Sequence, residues 1–358
     1  MTARAPRQRV PVAVLGATGA VGQAFIRLLA SHPWFDLVEV AASERSAGRT
    51  YGEAAHWIGA EDIPERVRAM RVLPCDPAAV TAPLVFSALD AAVALDVESA
   101  FARAGRLVLS NASSYRMESD VPLVTPDVNA EHLRMLDNQR RVRGWKGGIV
   151  TNANCSSIVA VSALAPLHRA FGVSRVFIAT MQAVSGAGYP GVPSLDILGN
   201  VIPFIRNEEE KIESEILKML GRLDGNRVSP AEIRISAHAN RVPVLNGHTV
   251  CMSLDFARVV TPEQAIDVLR EWGGDPACRG LPTAPVRALV VTDAADRPQP
   301  RRDVDRGNGM TVTVGRVRRD PLFSIKLVVL GHNIVLGAAG ASVLNAELLV
   351  ANGQAGAA

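Results

Sequence analysis

The sequence predicts an α/β protein in two parts, a doubly wound parallel sheet followed by an α+β domain on a mixed sheet. Three observations carry this. Strand and helix patterns alternate through the first half of the chain, as crossover helices between parallel strands require. A glycine-rich turn joins the first strand pattern to the first helix pattern. Near Asn152 the texture changes, and helical stretches mix with longer β-rich runs. These place a first domain at residues 1–153, completed by a C-terminal segment at 333–358, and a second domain at 154–332.

Taken in order, the apolar run 10–15 reads as a buried strand and 21–29 as a helix, with Val21, Phe25, Leu28 and Leu29 on one face. Further strands are expected at 37–41, 84–88, 107–109 and 149–150. Beyond them, 156–170 reads as a helix and 175–184 as a strand. A second long helix is expected at 208–223, where Ile212, Ile216, Met219, Leu220 and Leu223 recur at helical spacing. The runs 249–260 and 311–317 read as strands, and the Pro- and Arg-rich stretch 296–309 as an exposed loop. The last element, 338–350, is an Ala-rich apolar helix expected to pack back onto the first domain.

Composition narrows the function. The chain has 358 residues, 48% hydrophobic and 20% charged, enough to bury one or two cores. Its 38 basic and 35 acidic residues leave a net charge of +3, which argues against a nucleic-acid or membrane-surface protein. No stretch approaches the ~20 apolar residues that span a bilayer. Arg4, Arg7 and Arg9 before an apolar run look superficially like a signal peptide, but the run ends in Gly16-Ala-Thr-Gly without a cleavage site. The four cysteines, at 75, 155, 251 and 278, form no CxxC pair and no disulfide framework. A reducing cytoplasm is the expected compartment, and no metal site is expected.

The turn Gly16-Ala-Thr18-Gly19-Ala20-Val21-Gly22 lies between strand and helix. Glycines there permit close backbone approach to a pyrophosphate, which the helix N-terminus attracts. An ordinary glycine-rich connection is the alternative. At the end of the second strand an acidic residue would hold the ribose hydroxyls of NAD. Here the chain reads Ser43-Glu44-Arg45-Ser46; hydroxyls and a guanidinium suit a 2′-phosphate, so NADP is expected, with Glu44 facing solvent. A solvated polar turn is the competing reading.

In Thr151-Asn-Ala-Asn-Cys155-Ser-Ser157 a cysteine opens a helix after a short strand. Free backbone N–H groups and the helix dipole are expected to lower its pKa. The same N–H groups are expected to hold an oxyanion when the thiolate attacks a carbonyl. An inert core thiol is the alternative. Cys75, Cys251 and Cys278 lack this setting and read as structural.

These residues belong to a longer pattern. GATGAVGQ (16–23), AASERSAG (41–48), FSALD (86–90), SNASSYR (110–116), TNANCSS (151–157), the run from Thr180 to Ile205, EEEK (208–211), RVPV (241–244), GH (247–248), DRPQPR (296–301), GNGM (307–310) and VVLGHNIVLGAAGAS (328–342) occur in this order. With them the chain resembles, from Val12 to Val350, the aspartate-β-semialdehyde dehydrogenases of the archaeal and fungal-like branch. The resemblance implies a Rossmann-type NADP-binding domain and a catalytic and dimerisation domain. It implies NADPH-dependent reduction of L-aspartyl-4-phosphate to L-aspartate 4-semialdehyde and phosphate, on the route to lysine, threonine and methionine. Cys155 falls at the family's nucleophile, His248 at its acid/base and Gln182 at a substrate-positioning residue. Arg241 corresponds to the ligand of the substrate α-carboxylate, Arg116 and Lys211 with Asn111 to the phosphate site, and Glu208 to the partner of the ammonium. Ser87, Ala88, Leu89, Ser185, Gly186, Gly188 and Asn333 resemble cofactor contacts, and a homodimer or homotetramer is implied.

Three positions depart from the family pattern. Ala153 stands where proline is usual, Val250 where a glutamate is common and Leu336 where an arginine is common. Two lost charges near the site raise the expectation of altered substrate choice. The nearest rival is a malonyl-CoA reductase on the same scaffold, which needs no ammonium partner. A catalytically silent NADP-binding sensor is the rival of another class; it has no reason to keep Cys155, Gln182, Arg241 and His248 together.

Overall fold

A computed structural model describes residues 5–355. Arg4 and the last three positions of the 333–358 segment lie outside the described residues. Two sheets form the frame. The first joins seven parallel strands in the order β3-β2-β1-β4-β5-β7-β6: β1 Val10–Leu15, β2 Phe35–Ala42, β3 Val72–Pro74, β4 Leu84–Ser87, β5 Leu107–Ser110, β6 Leu123–Val124 and β7 Gly148–Asn152. Alternate residues of β1 feed two cores, Val12 and Val14 on one face, Ala13 and Leu15 on the other. Such a strand reads as an unbroken apolar run because both faces are covered. The helices α1 Ala20–Leu29, α2 Ala91–Arg103 and α3 Met135–Arg143 flank this sheet. The chain order reverses between β1 and β4, the place where doubly wound sheets open a ligand crevice.

The second sheet is mixed, in the order β11-β8-β12-β15-β14-β13. Its strands are β8 Val173–Gln182, β11 Arg234–Arg241, β12 His248–Phe256, β13 Leu289–Thr292, β14 Val312–Arg319 and β15 Ile325–Gly331. The helices α4 Cys155–Phe171, α5 Glu208–Met219 and α6 Pro262–Glu271 pack on it. The final helix, α7 Gly340–Ala351, is buried on nearly all sides and packs against α1, β5 and β7 of the first unit. It follows a π-helical turn, Val335–Ala339.

Several expectations need correction. The helix expected at 208–223 stops at Met219, and Leu223 lies in a hairpin of β9 Arg222–Asp224 and β10 Arg227–Ser229. Gly221 lets the hairpin close against the helix end, since a side chain there would meet the Ser229 carbonyl at 2.5 Å. The strand expected at 249–260 ends at Phe256, and that at 175–184 ends at Gln182 before a tight turn, Val184–Ala187. The 296–309 stretch is not wholly an exposed loop. It holds the helical turn Pro300–Asp303, whose buried Asp303 accepts hydrogen bonds from Arg297, Arg306 and the Gln299 N–H.

Candidate active site

The candidate nucleophile sits where the two units meet. After β7 the chain turns through Ala153 and Asn154, and Cys155 is the first residue of α4. Asn154 builds this corner. Its Oδ1 accepts from the N–H groups of Ser156 and Ser157 at 2.9 and 3.2 Å, and its Nδ2 donates to both oxygens of Glu208 at 2.9 Å. The expected oxyanion donors at this helix end are therefore largely occupied. Two of the N–H groups already serve the cap, and of this turn the Cys155 N–H is left for a ligand.

His248 opens β12, with Nε2 3.1 Å from the Cys155 sulfur. Its Nδ1 accepts the Ala183 N–H at 3.1 Å. An Nδ1 that accepts cannot carry the proton of a neutral imidazole, so that proton is on Nε2 and points at the sulfur. Burial, then the charges of Arg241 and His332, hold the His248 pKa down to about 3, so the ring is neutral near pH 7. The Cys155 thiol goes the other way from the expectation. Burial, with the Glu208 carboxylate adding to it, pushes it up to about 12, and the attraction of Arg116 and Arg241 does not offset this.

Strand register gathers the remaining groups. Arg241 is paired with Gln182 at the ends of β11 and β8, and Thr249, next to His248, is paired with Met181. Three separate motifs thus converge on one end of three adjacent strands. Arg241 is buried, donates from Nη1 to the Ala183 carbonyl at 2.8 Å, and has no salt-bridge partner among the described residues. Burial lowers its pKa, the mark of a cation poorly compensated by its surroundings. A carboxylate is the ligand such a guanidinium lacks. Gly186 belongs to this site as much as to any nucleotide contact, since a Cβ there would lie 2.9 Å from Arg241 Nη1 and 3.1 Å from His248 Cε1.

Helix α5 presents Glu208, Lys211, Glu215 and Lys218 in one stripe toward the site. Glu208 accepts from Gln182 Nε2 and Lys211 Nζ, each at 3.2 Å, as well as from Asn154. Arg116 donates to Glu215 at 3.0 Å and to the Asn111 carbonyl at 2.7 Å. Asn111 in turn donates to Ser342 of α7 at 3.1 Å and accepts from Asn152 at 3.2 Å. Arg116, Asn111, Lys211, Glu208 and Arg241 are therefore brought together around Cys155, although Glu208 is already engaged by three side chains.

The glycine turn fits a dinucleotide. Gly16 has φ +68°, and a Cβ on it would meet the Ala88 carbonyl at 2.5 Å. A Cβ on Gly22 would meet the Gly16 carbonyl at 2.2 Å, so the turn and α1 pack backbone to backbone. Gly19 caps α1 with no side-chain hydrogen bond, which leaves the first-turn donors of Ala20, Val21 and Gly22 open to an anion. Thr18 accepts from Gln23 through its carbonyl at 2.9 Å. Ser43, Glu44 and Arg45 are exposed at the end of β2, with Ser46 half-buried beside them. Ser87 and the Ala88–Leu89 turn flank Gly16 at the end of β4. From here a cleft of about 640 Å³ runs toward the second sheet, lined by Ala20, Gln23, Ser185, Gly188, His332 and Ile334. Asn333 closes it from behind, accepting from the Gly247 N–H and donating to Ser185 Oγ, both at 2.8 Å.

With this geometry in place, comparison with known proteins is direct. The family model described as semialdehyde dehydrogenase, NAD binding domain, matches residues 11–136, and the one described as semialdehyde dehydrogenase, dimerisation domain, matches 164–336. The aspartate-semialdehyde dehydrogenase of Archaeoglobus fulgidus is 52% identical over 342 residues, covering 96% of this chain and 98% of its own. The chain belongs to the aspartate-semialdehyde dehydrogenase family. Another member, from Methanothermobacter thermautotrophicus, is 51% identical over 95% of this chain and 99% of its own. The solved aspartate semialdehyde dehydrogenase of Candida albicans, described as a structure with NADP, superposes with a TM-score of 0.89 at 43% identity, covering 96% of this chain and 99% of its own.

The three departures from the aspartate-semialdehyde dehydrogenase pattern are buried. Ala153 is 1% exposed beside the nucleophile. Val250 sits inside β12, paired with Val329 and Thr180, and both Val250 and Leu336 belong to the main hydrophobic core. At these two positions apolar side chains packed into the core stand where the family commonly has a charge. Sequence reasoning missed Asn154, Glu215, Lys218 and Gly337. A Cβ on Gly337, in the π-helical turn, would press on the Cys155 Cβ at 2.7 Å. For Glu215 and Lys218 a signal existed, the i, i+3, i+7, i+10 spacing that they share with Glu208 and Lys211.

Proposed function

We propose that the chain is an NADP-dependent aspartate-semialdehyde dehydrogenase that works through a thioester on Cys155. The observation that carries this is the Cys155–His248 pair at 3.1 Å, placed at the strand end that also holds the buried Arg241. Arg241 takes the substrate α-carboxylate and Glu208 its ammonium, and Gln182, which donates to Glu208, helps position the substrate near the thioester. Arg116 and Lys211 take the phosphoryl group, assisted by Asn111. The Cys155 sulfur adds to the acyl carbon, with its N–H at the oxyanion; the carbon–oxygen bond to phosphate breaks, and hydrogen phosphate departs with the thiol proton. Splitting the displacement in two lowers each barrier. NADPH, when bound along Gly16–Gly22 with Ser43, Arg45 and Ser46 at its 2′-phosphate, supplies the hydride. Ser87, Ala88, Leu89, Ser185, Gly186, Gly188 and Asn333 line the rest of that path. As the hemithioacetal collapses to aldehyde, the Nε2–H of His248 hydrogen-bonds the departing sulfur and eases its release, and a proton taken up from solvent restores the thiol.

Residues 1–153 with the C-terminal helix form the NADP-binding domain and 154–332 the catalytic and dimerisation domain in this reading. Phe177 and Met181, each 37% exposed on the uncovered side of the second sheet, support assembly through that domain into a homodimer or homotetramer. A cytoplasmic setting accords with four free cysteines. Assay of purified protein with aspartate semialdehyde, phosphate and NADP, set against malonyl-CoA with NADPH, tests the function. Turnover of the first mixture is expected; turnover of the thioester alone would refute it.

A further inference from the structure

One buried carboxylate is used on both of its oxygens by partners from opposite sides of the site. Glu215 is 1% exposed. Its Oε1 accepts from Arg116 Nη1 at 3.0 Å, and its Oε2 accepts from the Asn154 backbone N–H at 2.6 Å. The first partner stands on the loop after β5; the second immediately precedes the nucleophile. We propose that Glu215 is a positioning residue that couples occupation of the anion site at Arg116 to the placement of the Cys155 peptide. This rests on the reading above, in which Arg116 receives phosphate.

The coupling follows from shared charge. Arg116 also donates from Nη2 to the Asn111 carbonyl, while its buried Nε has no partner. The guanidinium therefore keeps donor capacity for an incoming anion. Once it shares its charge with phosphate, its hold on Oε1 weakens, and the carboxylate turns more fully to the Asn154 N–H. Asn154 carries that change onward, because its side chain caps the first turn of α4 where Cys155 lies. The loop end of the link is held firmly: Lys218, on the same helix, donates to the carbonyls of Arg116, Glu118 and Val121 at 2.6, 2.8 and 2.8 Å. Glutamine cannot replace Glu215 in this role. Its Nε2 would set donor against donor at one end or the other.

Hydrogen–deuterium exchange at the Asn154 amide of the full-length protein, with and without saturating inorganic phosphate, tests the coupling. Phosphate is expected to slow this exchange about threefold or more in the wild-type chain and to have no effect in Glu215→Gln. Turnover of Glu215→Gln is expected to fall about tenfold or more, as misplacement near the chemistry does. Its KM for phosphate stays level or falls, because a negative charge beside Arg116 has gone. Unchanged exchange in the wild-type chain, with phosphate shown by calorimetry to be bound, overturns the proposal whether or not the variant folds. Failure to bind phosphate at all overturns both the proposal and the reading beneath it, which separates the two failures.

Discussion

Two helix N-termini face the central cleft, and they use the same physics to opposite ends. At α1 the capping residue is Gly19, and no side chain takes the first N–H groups. At α4 the capping residue is Asn154, whose side-chain Oδ1 takes those of Ser156 and Ser157. The first end is left open for a diffusible anion. The second satisfies two of its donors internally, keeps the Cys155 N–H for an oxyanion and holds the sulfur 3.1 Å from an imidazole. A helix terminus thus offers an anion only those donors that its own chain leaves uncapped.

Three predictions break or sharpen that contrast. The largest effect belongs to Gly22→Ala, whose new methyl would meet the Gly16 carbonyl at 2.2 Å and the Ala17 Cα at 2.7 Å. Strain against backbone cannot relax cheaply, so NADP affinity, read by fluorescence titration, is expected to fall about a hundredfold or more, or the fold to lose about 2–3 kcal/mol. Gly19→Ala is the control for packing, since its methyl meets no protein atom nearer than 3.4 Å; it is expected to leave fold stability unchanged, so that any loss of NADP affinity in it comes from contact with the nucleotide itself. Asn154→Ala attacks the other terminus. Removing both the cap and the tie to Glu208 is expected to cost about 1–2 kcal/mol in a denaturation midpoint and roughly ten- to a hundredfold in kcat, with NADP affinity unchanged.

The third prediction concerns pH. With the Cys155 thiol pushed up to about 12, the thiolate fraction grows with every step of pH below that value. Alkylation of the unliganded protein at Cys155 is expected to accelerate about tenfold per pH unit between roughly 7 and 10. The His248 ring, titrating at about 3, adds no inflection in this window. A plateau near neutral pH would show that α4 lowers the thiol's pKa after all.

How far the sequence foretold this depends on distance along the chain. The parallel sheet, the glycine turn and the helix after Cys155 are local patterns, and all were legible. That Arg241, Gln182 and His248 meet was legible only through resemblance, because strand register joins them and β11 gives no clear run of its own. Arg234–Arg241 alternates exposed and buried residues at a sheet edge, so its pattern is diluted by polar side chains. Two of the expected oxyanion donors are already taken, for a simpler reason. Asn154 precedes the helix, where asparagine is a preferred cap. Glu215 and Lys218 lie off the apolar stripe of α5, where charges ordinarily face solvent; only the packing of α5 against the Arg116 loop turns them inward.

The central claim is a covalent acyl group on Cys155. Incubating the protein with aspartate semialdehyde and NADP in the absence of phosphate, quenching in acid and mapping peptides by mass spectrometry tests it most directly. The account predicts an aspartyl adduct on the peptide that holds Cys155, discharged when phosphate is added before the quench. No adduct, or one carried by Cys75, Cys251 or Cys278, would contradict it.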